Sequence, residues 1–222
     1  MCGRFTLVAD PNELRAAFPF VNIPEDPQPR YNVAPSQPVA VIPNDGENKL
    51  DYYVWGLIPF WAKDPSIGNR MINARSETLL EKPSFKSAFK RRRCLIPASG
   101  FYEWKAEEGQ KTKTPMYIQL KDGKPFAFAG LWERWNSPDG STVLSCTIIT
   151  TSPNELVGQI HNRMPVILKP EDYPLWLDPG EPTVEKLVPL LAPYLADEMK
   201  AYPVSKMVNK PGYDAPELIR PL

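Results

Sequence analysis

The chain predicts an α+β protein, a single domain built on a mostly antiparallel, barrel-like β-sheet with short flanking helices. Three observations carry that prediction. Runs rich in Val, Ile, Phe, Tyr and Trp recur at short spacing and are cut by Gly, Pro, Asn or Asp, the pattern of many short strands. The 27 prolines among 222 residues are well over twice the usual share of about 5%, and they are scattered among apolar runs. They therefore punctuate ordered elements instead of forming a disordered tail. No linker, composition break or internal repeat divides residues 1–222, and a chain of this length buries one core of good size.

Taken in order, residues 2–8 read as a strand whose alternation puts Cys2, Arg4 and Thr6 on one face and Gly3, Phe5 and Leu7 on the other. Asp10-Pro11-Asn12-Glu13 opens a short helix, with a cap, a proline in the first turn and a carboxylate three residues after the cap. Pro19, Pro24, Pro27, Pro29, Pro35 and Pro38 make residues 19–38 a long, stiff loop. Residues 39–42 and 52–56 are strands joined through the Asn-Asp-Gly turn at 44–46. Residues 56–62 are apolar but broken by Pro59, which suits a loop presenting Phe60 and Trp61. A helical stretch runs from after residues 71–75 to about Arg93, interrupted at Pro83. It ends in Lys90-Arg91-Arg92-Arg93, which either satisfies the helix dipole or contacts phosphate.

Strands at 94–97 and 101–105 flank Ser99-Gly100, and those at 116–120 and 126–131 form a hairpin about Asp122-Gly123. Residues 143–150 are the most β-like run of all. Ser152-Pro153-Asn154-Glu155 reads as a capping box for a short helix to about Ile160, after which residues 161–168 enter another strand. Helical pieces near 170–177 and 183–195 and a strand near 201–205 complete the chain.

Lys plus Arg and Asp plus Glu number 26 each, so a global electrostatic footprint for nucleic acid is absent and any polyanion site is a local patch. The three cysteines are an odd number and far apart, with no signal-peptide core and no apolar run of transmembrane length. These features predict a cytoplasmic protein with reduced thiols and no membrane association. Without a Cys-x-x-Cys and with one histidine, no zinc site is expected, nor any other cofactor.

Cys2 is one cleavage away from being the first residue. Loss of Met1 leaves an α-amine titrating near ~8 and a thiol near ~8.5 on one residue. Such a 1,2-aminothiol attacks a carbonyl with nitrogen and then sulfur, closing a thiazolidine, or acts as a nucleophile with its own amine as base. The plainer reading is a small apolar residue in a strand. Cys2 and Arg4, Asn73 and Arg75, and His161 and Arg163 are each two apart, so in extended backbone each pair shares a face. Convergence of the three segments puts a nucleophile, an amide and an imidazole among guanidiniums that match phosphate oxygens. Glu103 lies among aromatics in Gly100-Phe101-Tyr102-Glu103-Trp104, where burial raises a carboxyl and makes it a proton shuttle. Trp61 and Phe60 stack on bases or fill a core.

Six motifs occur in order: Met1-Cys2-Gly3-Arg4-Phe5, Tyr31-Asn32-Val33-Ala34-Pro35, Trp55-Gly56-Leu57-Ile58-Pro59, Asn73-Ala74-Arg75-Ser76-Glu77-Thr78, Gly100-Phe101-Tyr102-Glu103-Trp104 and His161-Asn162-Arg163-Met164-Pro165. In them, from residue 2 to about 178, the chain resembles the SOS-response-associated peptidase (SRAP) family. The resemblance implies a monomeric sensor of abasic sites in single-stranded DNA, acting in the DNA damage response and lying at the nucleoid when bound. It implies capture of the ring-opened site by Cys2 as a covalent thiazolidine crosslink, with lyase-type imine chemistry, after autoproteolytic removal of Met1. Carried over by position, Asn73 orients the adduct, Glu103 manages protons at the amine, and His161 assists ring opening and adduct reversal. Arg4, Arg75 and Arg163 match phosphate contacts, and Trp61 matches an aromatic near the DNA junction. Two readings from other classes stay open: an N-terminal-nucleophile cysteine amidase or peptidase, and a module that binds single strands without covalent chemistry.

Overall fold

The β-rich runs are apolar on both faces, and they can be so because two separate cores receive them. A computed structural model of the chain describes residues 2–24, 27–109 and 112–222. In chain order the strands are β1 (Phe5–Leu7), β2 (Arg30–Val33), β3 (Pro38–Pro43), β4 (Asp51–Trp55), β5 (Asn73–Arg75), β6 (Arg93–Ala98) and β7 (Gly100–Lys105). They continue with β8 (Thr114–Leu120), β9 (Phe126–Asn136), β10 (Thr142–Thr151), β11 (Met164–Pro165), β12 (Ile167–Leu168) and β13 (Met199–Pro203). One sheet has the order β13-β8-β7-β1-β2 and is antiparallel throughout. In the other, β10-β4-β3-β6-β9 closes on itself because β9 also pairs with β10, giving a barrel with β4–β10 as its parallel pair. The short strands β5 and β11 extend β10, and β12 extends β9.

Period-two alternation sorts side chains between the cores. On β3, Val39 and Val41 join Phe5, Trp55, Phe101 and Phe128 between the sheets, while Ala40 and Ile42 face Leu14, Phe18, Phe89 and Trp176 under the helices. On β9, Phe126 and Phe128 take the first side and Ala127, Ala129 and Leu131 the second. The helices are short. In α1 (Pro11–Ala17) the expected capping box is present, with Asp10 accepting from the Asn12 and Glu13 amides and Glu13 accepting from the Asp10 amide. Among the described residues no helix is long and apolar enough to cross a membrane. Cys2, Cys94 and Cys146 are free, buried thiols.

Several local expectations are corrected. The first strand starts only at Phe5, so Cys2 and Arg4 do not share a face: Cys2 enters the core with Phe5 and Trp55. The loop at 19–38 contains β2, because residues 30–33 form a proline-free run that can donate its amides to β1. Between Arg75 and Pro83 there is one 3₁₀ turn (Ser76–Thr78), and the helix proper, α2, spans Pro83–Arg91 with Pro83 opening it. The strands β8 and β9 are not a hairpin. Gly123, at φ +73°, turns the chain from one sheet to the other, leaving β8 on β7 and β13 and β9 on β6 and β10. The cap of α3 (Glu155–Gly158) is Asn154, not Ser152, and its Oδ1 accepts from the Val157 amide at 2.9 Å.

The three arginines of the basic run at the end of α2 have partners within the protein. The fully buried Arg93 donates to the carbonyls of Phe89, Trp176 and Asp178, closing the helix end, while Arg92 and Arg91 pair with Glu133 and Glu181.

The loop that presents Phe60 and Trp61 is fixed at its root by two glycines. Gly56 has φ +137°, and a Cβ there falls 2.6 Å from the Gly68 carbonyl oxygen. Gly56→Ala is expected to lower stability by about 1–3 kcal/mol in urea unfolding, from strain and backbone clash together. A loss under about 0.5 kcal/mol, the range of ordinary surface changes, contradicts the pinning.

Candidate active site

Antiparallel pairing of β1 between β2 and β7 brings the N-terminal residues beside Glu103, and parallel pairing of β5 on β10 brings Asn73 to the same place. Cys2 is 0% exposed. Its carbonyl accepts from Asn73 Nδ2 at 2.8 Å, and its thiol donates to the Arg4 carbonyl at 3.9 Å. Burial pushes the thiol well above its ordinary pKa, and the negative charge of Glu103 adds to the rise. Glu103 is itself 2% exposed, and burial pushes its carboxyl up to about 7.

His161 follows α3, with its amide on the Val157 carbonyl. Its Nε2 stands 3.9 Å from Glu103 Oε2, and its Nδ1 is 3.1 Å from the Arg163 amide nitrogen. Partial burial lowers its pKa, so the ring is neutral at neutral pH. Asn73 therefore holds Cys2, Glu103 lies close enough to act on its thiol, and His161 stands against Glu103. A buried carboxyl titrating near neutrality beside a fixed N-terminal residue can take up and return a proton.

The arginines are placed unequally. Arg75 is exposed at the end of β5, and its guanidinium has no hydrogen bond or ion pair among the described residues. Arg163 forms a two-pronged pair with Glu77, at 2.5 and 2.9 Å, and also donates to the Thr150 carbonyl at 2.7 Å. That hydrogen bonding holds the Glu77 carboxyl down at about 2. Arg4, at 9% exposure, turns away from the rim and donates to Asn32 Oδ1 and the Val208 carbonyl. Phe60 and Trp61 are exposed, on a loop whose Leu57 amide bonds to the carbonyl of Met71, two residues before Asn73. Met1, whose removal the sequence reading invokes, lies outside the described residues.

The model of the family described as SOS response associated peptidase (SRAP) matches residues 1–211. The chain belongs to this family. It is 53% identical over 222 residues to the abasic site processing protein YoqW of Bacillus subtilis (strain 168), covering 99% of each chain. To the abasic site processing protein YoaM of the same organism it is 49% identical over 226 residues, covering 99% of this chain and 97% of the other. A crystal structure of a protein from Bacteroides thetaiotaomicron superposes at TM-score 0.89 over 100% of both chains, with 28% identity.

Two residues of this SRAP site escaped the sequence reading. Glu77 stands inside one of the six motifs, two residues after Arg75, but its partner Arg163 belongs to another motif. Asn32 also stands inside one of the six motifs, but it is fully buried and its carbonyl partners lie at residues 208–213, so nothing local tells what it binds. Among the described residues no group of three or more His, Cys, Asp and Glu is arranged to hold a metal ion.

Proposed function

We propose that this protein processes abasic sites in single-stranded DNA by forming a covalent thiazolidine crosslink through Cys2 once Met1 has been removed. The observation that carries the reading is the anchored Cys2, with its carbonyl on Asn73, beside the buried Glu103 carboxyl at about 7. Membership in the SRAP family and the names of the YoqW and YoaM relatives support it.

In this mechanism the free Cys2 amine adds to the C1′ aldehyde of the ring-opened sugar and water leaves, giving an imine. The thiol sulfur then bonds to the imine carbon. The C=N electron pair moves to nitrogen, which takes up the proton released from sulfur, so the ring closes without a further reactant. Asn73 orients Cys2, Glu103 relays protons at the amine, and neutral His161 assists sugar ring opening and the return reaction. Arg75 meets a backbone phosphate directly. Arg163 does so by exchanging Glu77 for a phosphate oxygen, and Trp61 stacks on a base beside the gap.

The test is to incubate protein shown by mass to lack Met1 with a single strand carrying one abasic site, then run a denaturing gel. A retarded band is expected with the damaged strand and not with the intact one. Its absence, together with hydrolysis of a small amide through Cys2, overturns the reading in favour of an amidase. For the phosphate contacts, Arg75→Ala should flatten the dependence of log affinity on log salt by about 0.7 and weaken binding to all sequences alike. An unchanged slope places the strand elsewhere.

A further inference from the structure

The segment that follows β13 contributes nothing to the chemistry above, yet it is tied to the strands that carry Cys2. Asn32, fully buried on β2, donates through Nδ2 to the carbonyls of Lys210 at 3.0 Å and Tyr213 at 2.6 Å, and lies 3.3 Å from that of Val208. Its Oδ1 accepts from Arg4 Nη1 at 2.7 Å, and the same nitrogen donates to the Val208 carbonyl at 2.6 Å. Every one of these acceptors on Arg4 is neutral, and burial lowers the guanidinium's pKa. A buried cation compensated only by dipoles is a costly way to gain stability, so its value lies in fixing geometry.

Arg4 has a second end. Its backbone carbonyl accepts the Tyr102 amide at 2.9 Å and the Cys2 thiol at 3.9 Å, and Tyr102 immediately precedes Glu103. One residue thus links the tail, through its side chain, to the nucleophile and the carboxylate strand, through its backbone. At the exposed edge Asp214 completes the attachment, accepting from Arg30 Nε at 2.7 Å and the Tyr31 amide at 2.5 Å.

We propose that residues 204–219 are a positioning element of the active site, acting on Cys2 through Asn32 and Arg4. The proposal rests on the reading that Cys2 is the reacting residue. It makes Asn32 a positioning residue and gives the C-terminal segment a part in the rate of the reaction.

The test uses the full chain and its own internal controls. Asn32→Asp keeps an acceptor for Arg4 but turns a carboxylate oxygen toward the tail carbonyls, releasing them. Native protein is treated with iodoacetamide and each cysteine is followed by mass. Cys2 should label roughly tenfold faster than in wild type, as a local opening, while the buried Cys94 and Cys146 keep their wild-type rates. With abasic DNA, the limiting rate of crosslinking should fall roughly tenfold or more, with the half-saturating DNA concentration within about twofold of wild type. Asp214→Asn, at the edge, should give the same pattern at about threefold, and it decides the matter should Asn32→Asp fail to fold. Faster labelling of all three cysteines together shows that the tail merely adds global stability and overturns the proposal. Unchanged Cys2 labelling in both variants overturns it too. The labelling does not depend on DNA chemistry, so a wild type that forms no crosslink defeats the proposed function while this inference is still judged on its own result.

Discussion

Cys2→Ser is expected to abolish the stable abasic-site crosslink while leaving an imine that borohydride can trap. The amine that forms the imine is untouched by the substitution, whereas ring closure needs the sulfur. The Cys2 thiol is held protonated by burial and by the charge of Glu103, so it adds as S–H and hands its proton on. A serine hydroxyl in the same place is a far poorer nucleophile toward an imine carbon and gives a less durable ring. Cys2→Ala should behave as Cys2→Ser does, since the missing element in both is sulfur. Protein that retains Met1 should give neither product, because a peptide nitrogen cannot form an imine. On denaturing gels with and without borohydride, wild-type amounts of untrapped crosslink from Cys2→Ser refute the thiazolidine. If the wild type yields no adduct and Cys2→Ser instead loses an amidase activity, the chemistry belongs to a different class.

What could be read from the residues, and what could not, divides along physical lines. Strand positions were legible because β-branched and aromatic runs bounded by Gly and Pro leave few alternatives, as at β6, β7 and β10. Which strand belongs to which sheet was not. Strands such as β3 and β9 bury both faces, so the alternation that normally reveals a sheet's inner side is silent, and β8 and β9 looked like a hairpin. The strand β2 was hidden among prolines that fall just outside it. The ordered motifs anticipated that Asn73 approaches Cys2 and that His161 approaches Glu103. The facing of Arg4 was not legible, since the period-two rule applies only where backbone is a strand, and residues 2–4 are not one. Glu77 and Asn32 show the remaining gap: each makes its decisive contact, with Arg163 and with the tail, across more than eighty residues of sequence.

Glu103→Gln is expected to slow crosslink formation by ~10²–10⁴-fold, the usual weight of a placed acid–base group. It should also remove the pH dependence that the wild type shows near neutrality. Burial holds the carboxyl up to about 7 against an ordinary value of 4.5. As the base at the amine, Glu103 must be ionised, so the wild-type limiting rate should rise with pH and level off above about 7. The amide cannot titrate, and the variant's profile should be flat across that range. Stability carries the opposite sign. Between about 4.5 and 7 the folded state keeps a proton that the unfolded chain gives up. Wild-type stability therefore falls as pH rises through that window, and Glu103→Gln should lose this slope. Urea unfolding at pH 5 and pH 8 reads the second effect, and single-turnover crosslinking across the same range reads the first. A variant that keeps the wild-type inflection near 7 assigns the proton transfer to another group and removes Glu103 from the mechanism.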